Sequence, residues 1–375
     1  MANAANLINF GAGGGASAIG DWTYSLYALS APSYLPLNTF SSYLVSSYPT
    51  LAGLIVPVIT PVSYAATARS MPSASYWQAV TYGNGVFVAI TGSGINAAAT
   101  SPDGITWTAR TLPAATSWTS VTYGNGTFVA VSSGPSTAVA TSPDGITWTL
   151  RALPASQSWT SVTYGNGLFV AVATGYANGA TSLDGINWTT RTLPSAATWQ
   201  AVTYGNGVFV AVSGSTTAAT SPDGITWTAR TLPSSSGLST VIFGNGIFVG
   251  TVSGSTAAAT SVDNGATWTA RTLPSSQQWA SIAFANNAFI TIANGPGGSP
   301  SNAAATSSDG ITWVARTLPS TSYWSGIAFG NGVFAAISGN GFNAAATIVY
   351  ATNPTSFILP YVQTLTGTTP YVKAT

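Results

Sequence analysis

The sequence predicts an all-β protein in which seven similar four-stranded sheets close into a ring. Three observations lead to this prediction: a unit of 39 to 45 residues recurs along the chain, each copy alternates short apolar runs with turn residues, and the two ends of the repeated region complement each other. The copies begin at equivalent positions, namely Trp77, Trp118, Trp159, Trp199, Leu238, Trp279 and Trp324.

The copy that starts at Trp199 shows how one unit gives four strands. Residues 199–204 (WQAVTY) form the first strand, and the Gly-Asn-Gly that follows supplies positive-φ residues for a tight hairpin turn. Residues 208–212 (VFVAV) are apolar on both faces, which suits the second strand of a sheet stacked between two neighbours. A variable loop, an alanine-rich third strand and an Asp turn lead to residues 225–230 (ITWTAR), the fourth strand.

The ends of the repeated region predict how the ring closes. Residues 67–72 (TARSMP) match the fourth-strand residues 228–233 (TARTLP), although they precede the first full copy. The seventh copy loses its Asp turn after residues 343–347, so a strand over 65–72 is expected to complete the last sheet and leave no open edge. The alternative is that residues 355–359 supply this strand. An open solenoid has a similar repeat length, but seven copies fall within the four to eight blades of β-propellers.

Six recurrent Asp turns carry a family resemblance. Residues 261–268 (SVDNGATW) fit the whole pattern Ser-x-Asp-x-Gly-x-Thr-Trp, whereas the other five copies are one residue shorter between Asp and Gly, and the third copy has Asn187 in place of Thr. This pattern resembles the Asp-box, or BNR, motif of sialidase-like propellers. The resemblance implies a β-propeller whose Asp carboxylates bind turn amides and have a structural role. These residues are Asp103, Asp144, Asp184, Asp223, Asp263 and Asp309.

The composition excludes several classes of partner. The 375 residues include eight Lys+Arg and seven Asp+Glu, all of the acids being Asp, and no His or Cys. A charged fraction of 4% and a net charge of +1 argue against nucleic acid. We expect no metal, no cofactor and no disulfide. The N-terminus lacks a basic region followed by an apolar stretch, and residues 51–62 are too short to span a bilayer, so neither a secretory signal nor membrane insertion is expected.

The same inventory argues against an enzyme. Six of the seven Asp residues belong to Asp turns, and Asp21 precedes the repeats. Glycoside hydrolysis needs two free carboxylates or, in sialidases, a tyrosine nucleophile assisted by acids and an arginine cluster. The arginines instead recur at one position per copy, which spreads them around the ring: Arg69, Arg110, Arg151, Arg191, Arg230, Arg271 and Arg316. We therefore predict no catalytic residue.

Strand parity divides the ring into two faces. The Gly-Asn-Gly turns and the Asp turns share one face, the turn face, and the loops between strands two and three and between strands four and one share the other, the loop face. Copies are nearly identical on the turn face and differ on the loop face, where residues 293–302 form the longest loop. An asymmetric binding site therefore belongs on the loop face. The candidate binding residues are Tyr76, Tyr176, Asn178, Gln277, Asn302, Tyr323, Asn340 and Phe342.

The first 64 residues differ in composition from the repeats. Residues 32–38 (PSYLPLN) and 48–55 (YPTLAGLI) resemble a tail-collar-type module of bacteriophage tail fibres. That resemblance implies a virion location, attachment to other virion proteins through residues 1–64, and a homo-oligomer, which in fibres is often a trimer. The predicted organisation is an attachment segment over 1–64, a propeller over 65–360 with blades from residue 76, and a C-terminal tail over 361–375.

Together these features predict a non-enzymatic bacteriophage virion protein, either a tail fibre, a tail-associated component or a capsid decoration. Its propeller is predicted to bind a host-surface glycan or protein. Two alternatives stay open: a sialidase-type carbohydrate-active enzyme, and a structural scaffold that binds no receptor. Because a propeller with so few charges exerts little long-range attraction, any binding is expected to depend only weakly on salt.

Overall fold

A computed structural model of the chain describes residues 7–9, 25–27, 63–134, 136–233 and 237–351. The chain divides into two units, one made of Met1–Pro61 with Asn353–Thr375 and the other of Val62–Thr352. In the first unit, the described residues form two antiparallel strands, β1 (Leu7–Asn9) and β2 (Ser25–Tyr27). The motifs at 32–38 and 48–55, the alternative closing strand over 355–359 and the predicted tail over 361–375 lie outside the described residues.

The second unit consists almost entirely of strands. They are β3 Ser63–Ser75, β4 Trp77–Gly83, β5 Val86–Thr91, β6 Ile95–Ser101, β7 Thr108–Gly124, β8 Thr127–Ser133, β9 Ser136–Ser142, β10 Thr149–Gly165, β11 Leu168–Ser182, β12 Thr189–Gly205, β13 Val208–Ser213, β14 Thr217–Ser221, β15 Thr228–Thr231, β16 Thr240–Gly244, β17 Ile247–Thr251, β18 Ser253–Ser261, β19 Thr269–Ala285, β20 Ala288–Asn294, β21 Ser301–Ser307, β22 Val314–Ser322, β23 Trp324–Gly330, β24 Val333–Ser338 and β25 Phe342–Ala351. A 3-10 turn at Pro296–Gly298 lies in the longest loop. Among the described residues, no helix is long and apolar enough to cross a membrane.

Antiparallel pairing groups these strands into four-stranded blades. Over residues 63–351, the described pairings give seven blades, which we number by the seven sequence copies. Four strands of 17 residues each, β7, β10, β12 and β19, serve two blades, because the first half is the outer strand of one blade and the second half is the innermost strand of the next. The connection predicted as a loop between strands four and one is therefore continuous strand at these four places.

A β-bulge shapes the innermost strand of most blades. It lies directly after the tryptophan that begins the sequence copy, which we call the first tryptophan. In blade 1 the pairing passes from Trp77 opposite Thr91 to Ala79 opposite Ile90, so Gln78 has no cross-strand partner. The same shift occurs in blades 2, 3, 4, 6 and 7. A bulge bends its strand and increases the local twist. The bulge residues of all these blades line the central channel of the ring.

The last blade takes its outer strand from the N-terminal side of the repeats. Strand β3 pairs antiparallel with β25, from Ser63 opposite Ala351 to Ser75 opposite Phe342. This strand is longer at both ends than the 65–72 expected from the sequence. Its extension takes the place of the missing Asp turn and brings Tyr64 against blade 6, where the Tyr64 hydroxyl donates to the Thr317 carbonyl at 3.3 Å and the Arg316 guanidinium lies 5.5 Å from the ring centroid.

The core consists of layers between neighbouring blades. The second strands are buried on both faces, as the apolar runs predict, and the small third-strand pairs such as Ala218 and Ala219 are fully buried. The first tryptophans are the largest buried side chains, and each Nε1 donates to a backbone carbonyl, for example Trp118 to Ala114 at 3.1 Å. Small residues in the third strand let adjacent sheets approach closely.

Glycine sets the contact between inner strands of neighbouring blades. A Cβ placed on Gly83 would lie 2.1 Å from the ring of Tyr123 in blade 2, and one placed on Gly330 would lie 2.1 Å from the ring of Tyr82 in blade 1. On the turn face, Asn84 of blade 1 donates to the Pro143 carbonyl of blade 2, and Asn331 of blade 7 donates likewise to Pro102 of blade 1, both at 3.4 Å. The junction between blades 7 and 1 thus repeats the contacts found between blades 1 and 2.

The strand directions place both chain ends of the propeller on the turn face. Strand β25 leaves the loop face at Phe342 and runs to Ala351, while β3 runs the opposite way from Ser63 to Ser75. Ser63 and Ala351 are therefore neighbours at the turn-face end of blade 7. The loop face carries neither chain end of this unit.

Candidate functional site

The six Asp carboxylates hold their own turns. In blade 1, Asp103 Oδ1 accepts hydrogen bonds from the backbone N–H groups of Ile105 and Thr106 at 2.8 and 3.1 Å and from the Ser101 hydroxyl at 3.0 Å. The Ser101 hydroxyl in turn accepts from Gly104 N, and Trp107 Nε1 donates to the Gly104 carbonyl. Oδ1 accepts a turn N–H and the Ser hydroxyl at each of the other five aspartates, Asp144, Asp184, Asp223, Asp263 and Asp309. These carboxylates are therefore fixed as acceptors and lie away from the channel.

These hydrogen bonds favour the ionised carboxylate. The N–H groups of Ile105 and Thr106 lower the pKa of Asp103 below its usual value. In blade 5, the Thr267 hydroxyl and its backbone N–H lower the pKa of Asp263 to about 2. A proton donor for catalysis would need the opposite shift, toward neutral pH. The Asp turns are therefore unsuited to general acid catalysis.

We expect the free energy of unfolding to stay constant between about pH 5 and pH 9, because the chain has no His or Cys to titrate there. The stabilisation from the Asp turns is complete above the unfolded Asp pKa of about 3.9 and is lost as the pH falls through the lower folded pKa. At high pH the sign reverses. Burial raises the pKa of Tyr64 to about 12, so the folded state favours the protonated tyrosine. The free energy of unfolding therefore falls as the pH rises from the unfolded Tyr pKa of about 10 through the folded value. Urea unfolding followed by tryptophan fluorescence across this range would check the profile; a slope near neutral pH would contradict it.

The arginines are dispersed around the perimeter. Each donates from Nε to the hydroxyl of a third-strand threonine in its own blade, at distances between 2.8 Å for Arg191 and 3.4 Å for Arg151. The other five make the same bond. All seven are half-buried on outer strands. This arrangement keeps them from converging on one anionic ligand.

Two of the predicted binding residues are in ring contact at the loop-face end of blade 7, and a third lies nearby. The rings of Tyr323 and Phe342 lie 5.4 Å apart between centroids at an interplanar angle of 45°. Phe342 pairs with Ser75, which precedes Tyr76 in the chain. Tyr76 and Phe342 are each 42% exposed, so large apolar surface faces solvent here. We call Tyr76, Tyr323 and Phe342 the aromatic patch.

The other predicted residues are distributed over the loop face. Asn340 is exposed in the turn between β24 and β25, close in sequence to the aromatic patch. Gln277 accepts a long hydrogen bond from the Ser301 hydroxyl, at 3.5 Å, which brings it near the exposed Asn302. Tyr176 is 49% exposed and lies with Asn178 on β11 of blade 3. The structure thus gives one cluster with ring contacts and two smaller groups.

The central channel contains a set of polar residues that the sequence analysis did not select. Its volume is about 410 Å³, and it is lined by the first residues of the innermost strands of all seven blades. The bulge residue Thr119 donates to the Trp159 carbonyl of the next blade at 2.8 Å, and Ser325 of blade 7 donates to the Trp77 carbonyl of blade 1 at 2.7 Å. Most of these hydroxyls therefore join neighbouring blades.

None of the described residues that line the channel is charged. Moreover, no group of three or more acidic, His or Cys side chains in the described part of the chain could hold a metal ion. The channel lining offers hydroxyl and amide groups, which hydrogen-bond to a ligand but do not titrate near neutral pH. Its chemistry suits reversible binding of a neutral molecule.

The comparisons with known proteins bear on the fold. No family model matches the chain, and no curated protein matches it, so neither comparison supports the Asp-box or tail-collar resemblance. The chain is similar in structure to virginiamycin B lyase from Staphylococcus aureus, with a TM-score of 0.67, 12% identity, and coverage of 76% of this chain and 99% of that one. It is also similar to YCF48 bound to a D1 peptide (TM-score 0.58, 18% identity, 79% and 98% coverage) and to the WD40 β-propeller domain of Doa1 (0.59, 11%, 77% and 97%). At these identities the likeness shows that the chain is an all-β protein with a β-propeller fold.

Proposed function

We propose that this chain is a non-enzymatic component of a bacteriophage virion whose propeller presents its loop face to a glycan or protein on the host surface. The observation that carries the proposal is the position of the chain ends. Ser63 and Ala351 adjoin each other on the turn face, whereas the aromatic patch lies on the opposite, loop face. A domain attached at one face and bearing exposed aromatic side chains at the other is suited to display.

The charge distribution supports a binding role over a catalytic one. The aspartates of the Asp turns are hydrogen-bonded within those turns, the arginines are dispersed, and the channel lining is neutral. Aromatic rings at a half-exposed site supply contact area and a face on which a sugar ring or an apolar side chain stacks. The phage assignment itself rests on the tail-collar-like residues 32–38 and 48–55. The YCF48 structure, which has a similar fold, holds a D1 peptide.

The test is binding of the fluorescently labelled full chain to bacterial cells and to a printed glycan array. We expect the double variant Tyr323→Ala and Phe342→Ala to bind about fivefold more weakly, because one ring pair contributes on the order of 1 kcal/mol. The matched control is Ile225→Ser, which changes an exposed apolar residue of the turn face. Binding should change little between low and physiological salt.

Three outcomes would overturn the proposal. The first is equal loss of binding in the control variant, which would move the site to the turn face. The second is turnover of a glycoside on the array, which would indicate the sialidase-type alternative. The third is absence of binding to any cell or glycan while antibodies still detect the chain on purified phage particles, which would indicate a scaffold without receptor binding.

A further inference from the structure

Two glutamines of the channel stand apart from the other bulge residues. In blades 2, 3, 5 and 7 the residue after the first tryptophan or leucine is Thr or Ser, and its hydroxyl donates to a carbonyl of the next blade. Blade 6 has Ala280 there. Blades 1 and 4 instead have Gln78 and Gln200, both exposed and both lining the channel. Their amides are thus positioned at the solvent side of the channel wall.

Each glutamine lies beside a glycine of the neighbouring loop. A Cβ placed on Gly92 would lie 3.4 Å from Gln78 Oε1, and one placed on Gly214 would lie 3.6 Å from Gln200 Nε2. These glycines follow the second strands of blades 1 and 4, where blades 2 and 3 have Ser133 and a threonine. A methyl group at Gly92 would be in van der Waals contact with the amide of Gln78 and would lie 3.2 Å from the Trp118 carbonyl oxygen of blade 2. Blade 7 also has a glycine at this position, Gly339, but its bulge residue is Ser325. The glycines of blades 1 and 4 therefore leave room for the two amides, although glycine here is not confined to the glutamine blades.

The ring geometry makes the pair face each other. In a ring of seven blades, blades 1 and 4 are three positions apart, which is as close to opposite as an odd number permits. Both glutamines are bulge residues directly after the tryptophan at the loop-face end of their strands. They therefore flank the same mouth of the channel. Between them lies a space of about 410 Å³, within the range of roughly 300–1,000 Å³ that is usual for small-molecule sites.

We propose that this mouth of the channel binds a small neutral polyhydroxyl compound, a free sugar or sugar alcohol, between Gln78 and Gln200. A primary amide offers two N–H donors and a carbonyl acceptor, which match the donor and acceptor capacity of adjacent hydroxyl groups. An ionic ligand would lose its hydration without gaining a counter-charge, because the lining is neutral. The proposed contacts use the channel amides and not the rings of the aromatic patch, and the proposal does not depend on host attachment.

The experiment is isothermal titration calorimetry of the full chain with glucose, galactose, N-acetylglucosamine and sorbitol, and with glucuronate and glucosamine as charged counterparts. We expect saturable binding of at least one neutral compound at millimolar concentration or below, and weaker binding of its charged counterpart. Gln78→Ala and Gln200→Ala are each expected to weaken it about tenfold. Both residues are exposed, so the thermal unfolding temperature should stay unchanged and exclude misfolding as the cause.

The matched control is Gln278→Ala, which removes a half-buried glutamine that is not part of the channel lining. Unchanged affinity in this control, with loss in the two channel variants, supports the proposal. The absence of saturable binding across the neutral panel would overturn it, as would unaltered binding in the Gln78→Ala and Gln200→Ala double variant or a preference for the charged compounds. Aromatic-patch variants that lose cell binding while retaining sugar binding would show that the two sites are independent.

Discussion

Replacing Thr67 and Ala68 of β3 by proline is expected to open the ring and to lower the thermal unfolding temperature by at least about 10 °C. These residues pair with Thr347 and Ala346 of β25. In an edge strand, only every second residue donates its backbone N–H to the neighbouring strand. Two consecutive prolines therefore always remove one backbone hydrogen bond between β3 and β25. In the other blades, the outer strand follows the third strand through a short turn. Strand β3 has no such link to β25, and non-covalent contacts alone hold it in blade 7.

The matched control places the same two prolines at Thr228 and Ala229, the equivalent positions of β15 in blade 4. There the Asp turn still tethers the outer strand, so the damage should stay local and cost about 2 kcal/mol of ladder bonding. Differential scanning calorimetry and the hydrodynamic radius would separate the two variants. Equal losses of unfolding temperature with unchanged radius in both would show that β3 has no special part in closing the ring.

The fold was accessible from the sequence because a repeat multiplies each weak signal. A single Gly-Asn-Gly is a modest hairpin signal, yet its recurrence beside a doubly apolar strand located the blades, and the positive φ of residues such as Asn84 and Gly85 agrees with it. The match between residues 67–72 and 228–233 likewise located the strand that pairs with β25. Strand periodicity carries less information about where one strand ends. The sequence consequently predicts two strands and a loop for the 17 residues of β7, which form one continuous strand.

The candidate binding surface was less accessible, because contacts between strands that are distant in the sequence cannot be predicted from one copy. Sequence variation selects Tyr323 and Phe342 separately, but their ring contact depends on the register that β24 sets between β23 and β25. The channel glutamines were missed for a different reason. Gln78 and Gln200 sit inside a strand that reads as core, and only the bulge turns them toward the channel. The available signal was the residue after the tryptophan or leucine that begins each copy, which is polar in six of the seven copies.

Substituting alanine for Gly165 is expected to destabilise the protein by about 3 kcal/mol. A Cβ on this glycine would lie 2.0 Å from Cγ of Tyr204, the inner-strand aromatic residue of the next blade. Both the glycine and the ring are held by strand pairing, so relief requires the two blades to move apart. The matched control is Gly167→Ala in the same turn, where nothing lies within 4 Å and only the positive φ of 76° costs energy, about 1 kcal/mol. Guanidinium chloride unfolding of both variants measures the difference.

A double-mutant cycle distinguishes steric contact from backbone strain. Removing the ring in Tyr204→Ala should make Gly165→Ala less costly, with a coupling of at least about 1 kcal/mol, because the clash disappears. Additive losses would instead mean that the glycine is needed for backbone conformation alone. Blade 6 carries Ala285 at this position, with Phe329 of blade 7 packed in the same cluster, and there the turn reads Asn286-Asn287 in place of Asn-Gly. The methyl group of Ala285 thus occurs in the one blade whose turn also differs. In the other blades, we infer that contact between the aromatic ring and the glycine sets the spacing to the next blade.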